Sequence, residues 1–488
     1  MQKLWYPFIY GALFLLVLTC KEKLEGKKGT NNNSRPNIVL IVADDHGTDA
    51  FGAYGNPIIK TPSLDKLAGD GVRFTNAFCT SASCSASRSV ILTGKYGHAT
   101  GHYGHTHDYH HFSTYDTVVS LPLMLKKAGY KTGRIGKYHL APEHVYAFDE
   151  VMEGDARNTV EMAKNSSDFI KSEEPFFLYF CTDDPHRGYP YKQEDWHLPN
   201  PFGNKPGGYE GVKTITYTPG EVLVPDFLPD SKETRAELAQ YYQAVSRMDQ
   251  GFGLLMDNLK KIGKYDNTLI IYISDNGIAF AGAKTTVYEP GIKLPCVVKE
   301  PNTSKKGMVN DALINWADLT PTILDYAGID ASSYKVHGKS FKPVLNEEHP
   351  KGWDETYAAH NFHELTMYYP MRVVRQRKYK LIWNIAWEQS YPFASDLWDS
   401  STWQEVYQNK KSIYGKRSVE AYLYHPEYEL YDLENDPDEI NNLAYLKAYE
   451  SVFSELREKL RTFQEKTSDP WLIMDGHNAQ FQGSATNL

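Results

Sequence analysis

The stretch Ile38-Val39-Leu40-Ile41-Val42-Ala43, opened by Asn37 and followed at once by Asp44-Asp45, decides how this chain is read. A continuous apolar, largely β-branched run marks a strand buried on both faces, as in a parallel sheet. The two carboxylates at its end are residues that a core would reject. Three further segments repeat this arrangement. Lys131–Gly136 runs into Lys137-Tyr138-His139. Pro175–Cys181 (PFFLYFC) is followed by Asp184-Pro185-His186. Thr268–Ser274 (TLIIYIS) runs into Asp275-Asn276-Gly277.

Helical signals lie between these strands. Thr61-Pro62 opens a helix that closes near Gly71, with Pro at the first helical position. Ser120-Leu121-Pro122 opens another that ends at Gly129. Ser231–Leu259 carries Leu238, Tyr241, Tyr242, Val245, Met248, Phe252 and Leu255 at helical spacing. Asp318–Tyr326 reads as a further helix. Strands alternating with helices predict an α/β fold, with a large, mostly parallel sheet flanked by helices. Near Pro370 the character changes. Two short strands are expected within Met371–Ile385, another over Glu429–Leu433, and a terminal amphipathic helix over Ala448–Lys466. The division expected is therefore a larger α/β domain over 35–370, which carries the four polar clusters, and a smaller C-terminal α+β subdomain over 371–488. Pro199–Pro229, rich in Pro and Gly, reads as a long loop.

Ligands of open parallel sheets bind outside the carboxyl ends of the strands. The four polar clusters should therefore meet. Each alone has a plain explanation, since an Asp pair commonly caps a helix and an Asp-Asn-Gly commonly turns. Four at the same end of successive strands are a stronger signal, and their chemistry is coherent. Asp44, Asp45, Asp275 and Asn276 offer hard oxygen donors suited to Ca²⁺ or Mg²⁺. Lys137, His139 and His186 offer positive charge and proton transfer. Together they suit a tetrahedral oxyanion with a metal on one side and cations on the other.

Composition narrows the partners. The net charge of −9 is spread along the chain, and no basic block stands out, so nucleic acid is not an expected partner. The five cysteines include no CxxC and no paired spacing, which argues against a thiolate zinc site and a disulfide framework. The first twenty residues read as an address: Lys3, then an apolar run from Phe8 to Thr19 too short to span a bilayer, then Cys20. This resembles a lipoprotein signal with Cys20 as the lipidated residue, and plain cleavage is the other reading. Residues 21–34 read as a tether. Export to the periplasm or, as a lipoprotein, to the outer membrane is the expectation, with membrane contact only through the lipid.

The segment Cys84-Ser85-Ala86-Ser87-Arg88, followed by Leu92-Thr93-Gly94, completes the constellation. With the Asp44-Asp45 strand end, Gly136-Lys137-Tyr138-His139, Asp184-Pro185-His186, Ser274-Asp275-Asn276-Gly277 and Lys284, it resembles the signature of the formylglycine-dependent (type I) sulfatases. The resemblance runs from Asn37 to Trp471. It implies an alkaline-phosphatase-like sulfatase fold and oxidation of Cys84 to formylglycine (3-oxoalanine) by a maturation enzyme. It also implies Ca²⁺ held by Asp44, Asp45, Asp275, Asn276 and the modified residue 84. By the same resemblance Arg88 orients the nucleophile, and Lys137 and Lys284 neutralise sulfate oxygens. His186 protonates the leaving oxygen or nitrogen, and His139 takes a proton as sulfate departs.

His110-His111-Phe112, Gly136–Glu143, His363-Glu364-Leu365-Thr366-Met367 and Asp469-Pro470-Trp471 resemble the N-sulfoglucosamine sulfohydrolase (heparan N-sulfatase) branch of that family. This implies a sulfated oligosaccharide or polysaccharide of the heparin or heparan sulfate type as partner, with His363, Glu364 and Arg372 expected to bind the sugar. Lys284 stands where that branch carries Arg, so an O-sulfatase acting on another glycan such as ulvan stays open. So do a related phosphohydrolase and a non-catalytic sugar-binding surface protein. The run His98, His102, His105, His107, His110 and His111 invites a zinc reading. It is read instead as a loop lining an anionic-substrate pocket, because no carboxylate or thiolate partner sits at ligand spacing.

Overall fold

In the computed structural model, residues 35–188, 200–303 and 305–472 are described. Cys20, the expected signal and the tether lie outside them. The central sheet is built from β1 (Asn37–Ala43), β2 (Val72–Phe78), β3 (Lys131–Gly136), β4 (Glu150–Met152), β5 (Phe176–Cys181), β6 (Thr268–Ser274), β7 (Cys296–Lys299) and β8 (Met308–Asn315). Its spatial order is β4-β3-β5-β1-β6-β7-β2-β8. All neighbours run parallel except β7, which is antiparallel to both β6 and β2. This is the large, mostly parallel mixed sheet that the alternating pattern predicts.

Every residue of β1, β5 and β6 is buried. These three strands lie side by side with β3, and their ends are level. Val42 pairs with Cys181, Ala43 with Ser274, and Gly136 with Cys181. The four polar clusters therefore leave the sheet at one edge. Gly136 makes the turn out of β3 possible: its φ is +81°, and a Cβ there would sit 2.0 Å from the Cys181 carbonyl oxygen.

The helix Lys232–Lys261 covers the sheet, and all seven apolar positions predicted to face the core are buried. Its capping residue Ser231 accepts a hydrogen bond from the Thr234 N–H, satisfying one of the free donors of the first turn. The helix Cys84–Thr93 is buried along its whole length and closes on Gly94, at φ +65°.

A second, antiparallel sheet comprises β9 (Glu355–His360), β10 (Met371–Gln376), β11 (Tyr379–Asn384) and β14 (Tyr428–Asp432), in the order β14-β11-β10-β9. A short hairpin, β12 (Ile413–Tyr414) with β13 (Arg417–Ser418), precedes β14. The hairpin β10–β11 and strand β14 follow the sequence reading. Strand β9, however, begins before Pro370, so this sheet draws on both sides of the change in sequence character. The terminal helix spans Glu450–Lys466. The described residues form one compact unit. No described helix is long and apolar enough to cross a membrane.

Arg372 of β10 corrects one sequence expectation. It is fully buried, and its Nη2 donates to Asp469 Oδ1 at 2.9 Å while Nε donates to Asp469 Oδ2. Its Nη1 donates to the carbonyls of His360 and Met371. Every guanidinium nitrogen is engaged and none is left for a sugar, so Arg372 ties the segment after the last helix to the second sheet. Removing one partner of a buried ion pair leaves an uncompensated charge. Arg372→Met should therefore destabilise the protein by about 3–5 kcal/mol, read as a lower denaturant midpoint.

Candidate active site

The ends of β1, β3, β5 and β6 bring together the residues that the sequence singled out. Asp44, Asp45, Asp275, Asn276, Cys84, Arg88 and Lys284 are all fully buried. Cys84 opens its helix, so the positive end of that helix lies at the site, which favours a bound anion. Arg88, one turn further on, reaches Asp275 with Nε (2.9 Å) and Nη2 (2.8 Å). Lys137 Nζ pairs with Asp44 Oδ2. Lys284 Nζ sits between Asp45 Oδ2 (3.0 Å) and Asp396 Oδ2 (2.9 Å).

Supporting contacts hold these groups in place. Asp45 sits at φ 65°, in the left-handed region that few residues other than Gly adopt and that Asp tolerates better than most. The Tyr241 hydroxyl, from the long helix, donates to the Asp45 carbonyl at 2.7 Å and accepts from the Gly47 N–H at 3.1 Å. Arg247 of the same helix donates twice to Asp184, at 2.7 and 2.8 Å. Arg157 donates to Asp184 and to the His186 carbonyl at 2.9 and 3.0 Å. The segment carrying His186 is thereby fixed, and His186 Nε2 lies 3.9 Å from Asp45 Oδ2.

The oxygen cluster fits a hard divalent cation. One carboxylate oxygen each from Asp44, Asp45 and Asp275 lie within 4.8 Å of one another. Asp44 Oδ1 and Asn276 Oδ1 are buried acceptors with no hydrogen-bond partner, an arrangement that costs free energy unless a cation is bound. Burial, and then the charge of Asp44, pushes Asp275 up to about 8. Burial likewise raises Asp45 to about 6 against the pull of Lys284. Burial also acts to raise Asp44, but Lys137, Arg88 and Lys284 outweigh it and hold this carboxyl below its ordinary value.

The imidazoles are neutral in this setting. Burial lowers His139 well below its ordinary value, and His105 and Lys137 add to the effect. His186 is lowered by burial, Lys284 and Lys137. Burial pushes the Cys84 thiol up to about 12, with Lys137 only partly opposing it.

One residue that holds a site lysine was not singled out in the sequence. Asp396, 112 residues beyond Lys284, holds that lysine from the C-terminal part of the chain. Neither a strand end nor a spacing marks it, so no sequence signal pointed to it. Glu364, expected to contact the sugar, uses Oε1 to accept from both the N–H (2.8 Å) and the hydroxyl (2.6 Å) of Ser395. It thus fixes the turn that presents Asp396. His363 is buried behind the site, with Nδ1 3.0 Å from Ser83 Oγ and Nε2 3.0 Å from His105 Nε2.

The histidine run divides. His98 and His102 are buried among Thr467, Ser85 and Thr114 as structural residues. His105 and His107 reach the site, where His107 Nδ1 lies 2.7 Å from His139 Nε2. Cys79, Cys181 and Cys296 are buried free thiols.

Comparison with known proteins agrees with this geometry. The sulfatase family model matches residues 36–329, and the chain belongs to the sulfatase family. It is an enzyme that hydrolyses sulfuric esters or sulfamates. A second model, the C-terminal region of N-sulphoglucosamine sulphohydrolase, matches residues 282–420. Human N-sulphoglucosamine sulphohydrolase is 37% identical over 466 residues, covering 90% of this chain and 92% of the relative. An ulvan-active sulfatase of Formosa agariphila is 28% identical, covering 91% and 82%. In fold, the chain matches a protein solved in complex with its substrate D-glucosamine-2-N,6-O-disulfate. The TM-score is 0.66 and the identity 24%, over 90% of this chain and 99% of that one.

The raised carboxylates set a pH dependence. Asp275 and Asp45 bind protons more tightly in the folded chain than in the unfolded one. Between the ordinary value near 3.8 and the raised values of about 6 and about 8, the folded state holds more protons. Their contribution to stability is thus present at low pH and lost as pH rises through that window. Protein stripped of divalent cations should show a falling melting temperature from about pH 4 to about pH 8. Added Ca²⁺ should recover it most at the alkaline end, where the carboxylates are ionised.

Proposed function

We propose that the chain is a formylglycine-dependent, Ca²⁺-binding sulfatase that removes the N-sulfate from glucosamine in heparin or heparan sulfate fragments. The observation that carries the substrate is the 37% identity to human N-sulphoglucosamine sulphohydrolase over nearly the whole of both chains. The family generally uses Ca²⁺ and formylglycine, and this chain has the residues for both. The second reading, an O-sulfatase of another polysaccharide such as ulvan, draws on the Formosa relative and on Lys284. We take the protein to be exported, to the periplasm or as a lipoprotein modified at Cys20.

Cys84 as it stands is a poor nucleophile, because a thiol held up to about 12 is neutral at physiological pH. Ca²⁺ on Asp44, Asp45, Asp275 and Asn276 would neutralise sulfate oxygens, and formylglycine at position 84 would supply, as its hydrate, one hydroxyl to attack sulfur and another to release it. The chain's own residues do the rest. Lys284, fully buried, and Lys137, partly buried, compensate the sulfate charge in a medium of low screening. Arg88, bound to Asp275, orients the residue at position 84. His186 is held neutral in the free enzyme first by its burial, with Lys284 and Lys137 adding to the effect. A bound sulfate offsets those lysines and raises the imidazole toward the value a general acid needs to protonate the leaving nitrogen. His139, kept neutral by burial, is suited to accept a proton as sulfate departs.

Peptide mass spectrometry of active protein should show residue 84 as the aldehyde, and Cys84→Ala should lose nearly all turnover with the fold intact. Activity retained in a preparation that carries only the thiol would refute the mechanism. Sulfate release measured on defined sugars should be fastest with glucosamine N-sulfate, and a preference for O-sulfated substrates would select the second reading. Because Asp396 positions Lys284, which meets the sulfate, Asp396→Asn should lower kcat/KM on glycan and aryl sulfate alike. The expected loss is about ten- to a hundredfold, or about 1.4–2.8 kcal/mol.

A further inference from the structure

The histidine-rich stretch is the motif that sulfate chemistry does not account for. Its sequence spacing offers no thiolate, but the fold supplies one. Cys84 Sγ lies 3.9 Å from His105 Nδ1, and one ligand atom each from Cys84, His105 and His139 lie within 4.8 Å of one another. On each ring the second nitrogen is already engaged. His105 Nε2 is 3.0 Å from His363 Nε2, and His139 Nε2 is 2.7 Å from His107 Nδ1. His139 Nδ1 is buried and has no hydrogen-bond partner.

We propose that in the chain carrying the Cys84 thiol, Cys84, His105 and His139 form a site for a borderline-soft divalent cation such as Zn²⁺. One sulfur and two imidazoles suit such an ion, whereas the neighbouring carboxylates suit a hard one, so the two clusters select different metals. Bonds of about 2.3 Å to sulfur and about 2.0–2.1 Å to nitrogen at tetrahedral angles place sulfur and nitrogen about 3.6 Å apart. The observed 3.9 Å is close to this, and His139 closes by a side-chain adjustment. His363 and His107 act as the outer partners that hold the two rings in orientation. Binding replaces the S–H bond with a sulfur–metal bond, and the proton leaves to solvent. Oxidation of Cys84 removes the sulfur, so metal and aldehyde exclude each other at this position. The site does not depend on which sulfated compound the enzyme cleaves.

The test uses full-length protein whose Cys84 thiol is verified by mass spectrometry, titrated with Co²⁺ in saturating Ca²⁺. A sulfur-to-cobalt charge-transfer band should saturate at one equivalent and disappear on adding Zn²⁺. His107→Ala and His363→Ala, which remove the outer partners, should each weaken Co²⁺ binding by about ten- to a hundredfold, and His105→Ala and His139→Ala, which remove a ligand, should weaken it more. The band should be missing from Cys84→Ser and from protein whose residue 84 is the aldehyde. The aldehyde form supplies the sulfur-free comparison if the serine variant does not fold. No band from natively folded thiol protein, or an undiminished band without the Cys84 sulfur, would overturn the proposal.

Discussion

The structure depends on a buried concentration of charge. Asp44, Asp45 and Asp275 lie fully out of solvent at the end of adjacent strands, and Arg88, Lys137 and Lys284 are spread around them. Such a cluster is costly unless every charge is paired or bound to an ion. The pairing here is incomplete on the oxygen side, where two acceptors have no donor. It is also tight on the cation side, where Lys284 needs two carboxylates. A divalent cation and an anionic substrate answer these two demands together, which is why the arrangement reads as a site rather than as a core defect.

Much of the remaining fold keeps that cluster rigid. The long helix packs an apolar face on the sheet, yet it also sends Tyr241 to the Asp45 backbone and Arg247 to Asp184. The C-terminal part contributes in the same way. Glu364 fixes Ser395, and the adjacent Asp396 holds Lys284. Charged groups in a medium of low screening respond strongly to small displacements. The hydrogen bonds around the site therefore bear on function as well as on stability.

Much of this was legible in the sequence. An apolar, β-branched run can be only a buried strand or a buried helix, and its short length favours the strand. Polar residues at the end of such a run are costly enough to mark a site. The strands β1, β3, β5 and β6, the long helix, and the convergence of Asp44, Lys137, His186 and Asp275 all follow from that. Arg372 and Glu364 were placed less well. A resemblance locates a residue near a site but does not show where its side chain is directed, and both turned out to be engaged with protein groups.

The sequence by itself determined the alternation of strand and helix, the hard-oxygen donor set and the nucleophile segment, because these are carried by local periodicity and by residue type. Tertiary structure alone decided which partner each charge found. Asp396 meets Lys284 across 112 residues, and Cys84 meets His105 and His139 only when a helix start, a loop and a strand end are brought together. Contacts of this kind are set by how the elements pack, and no local pattern in the chain encodes them.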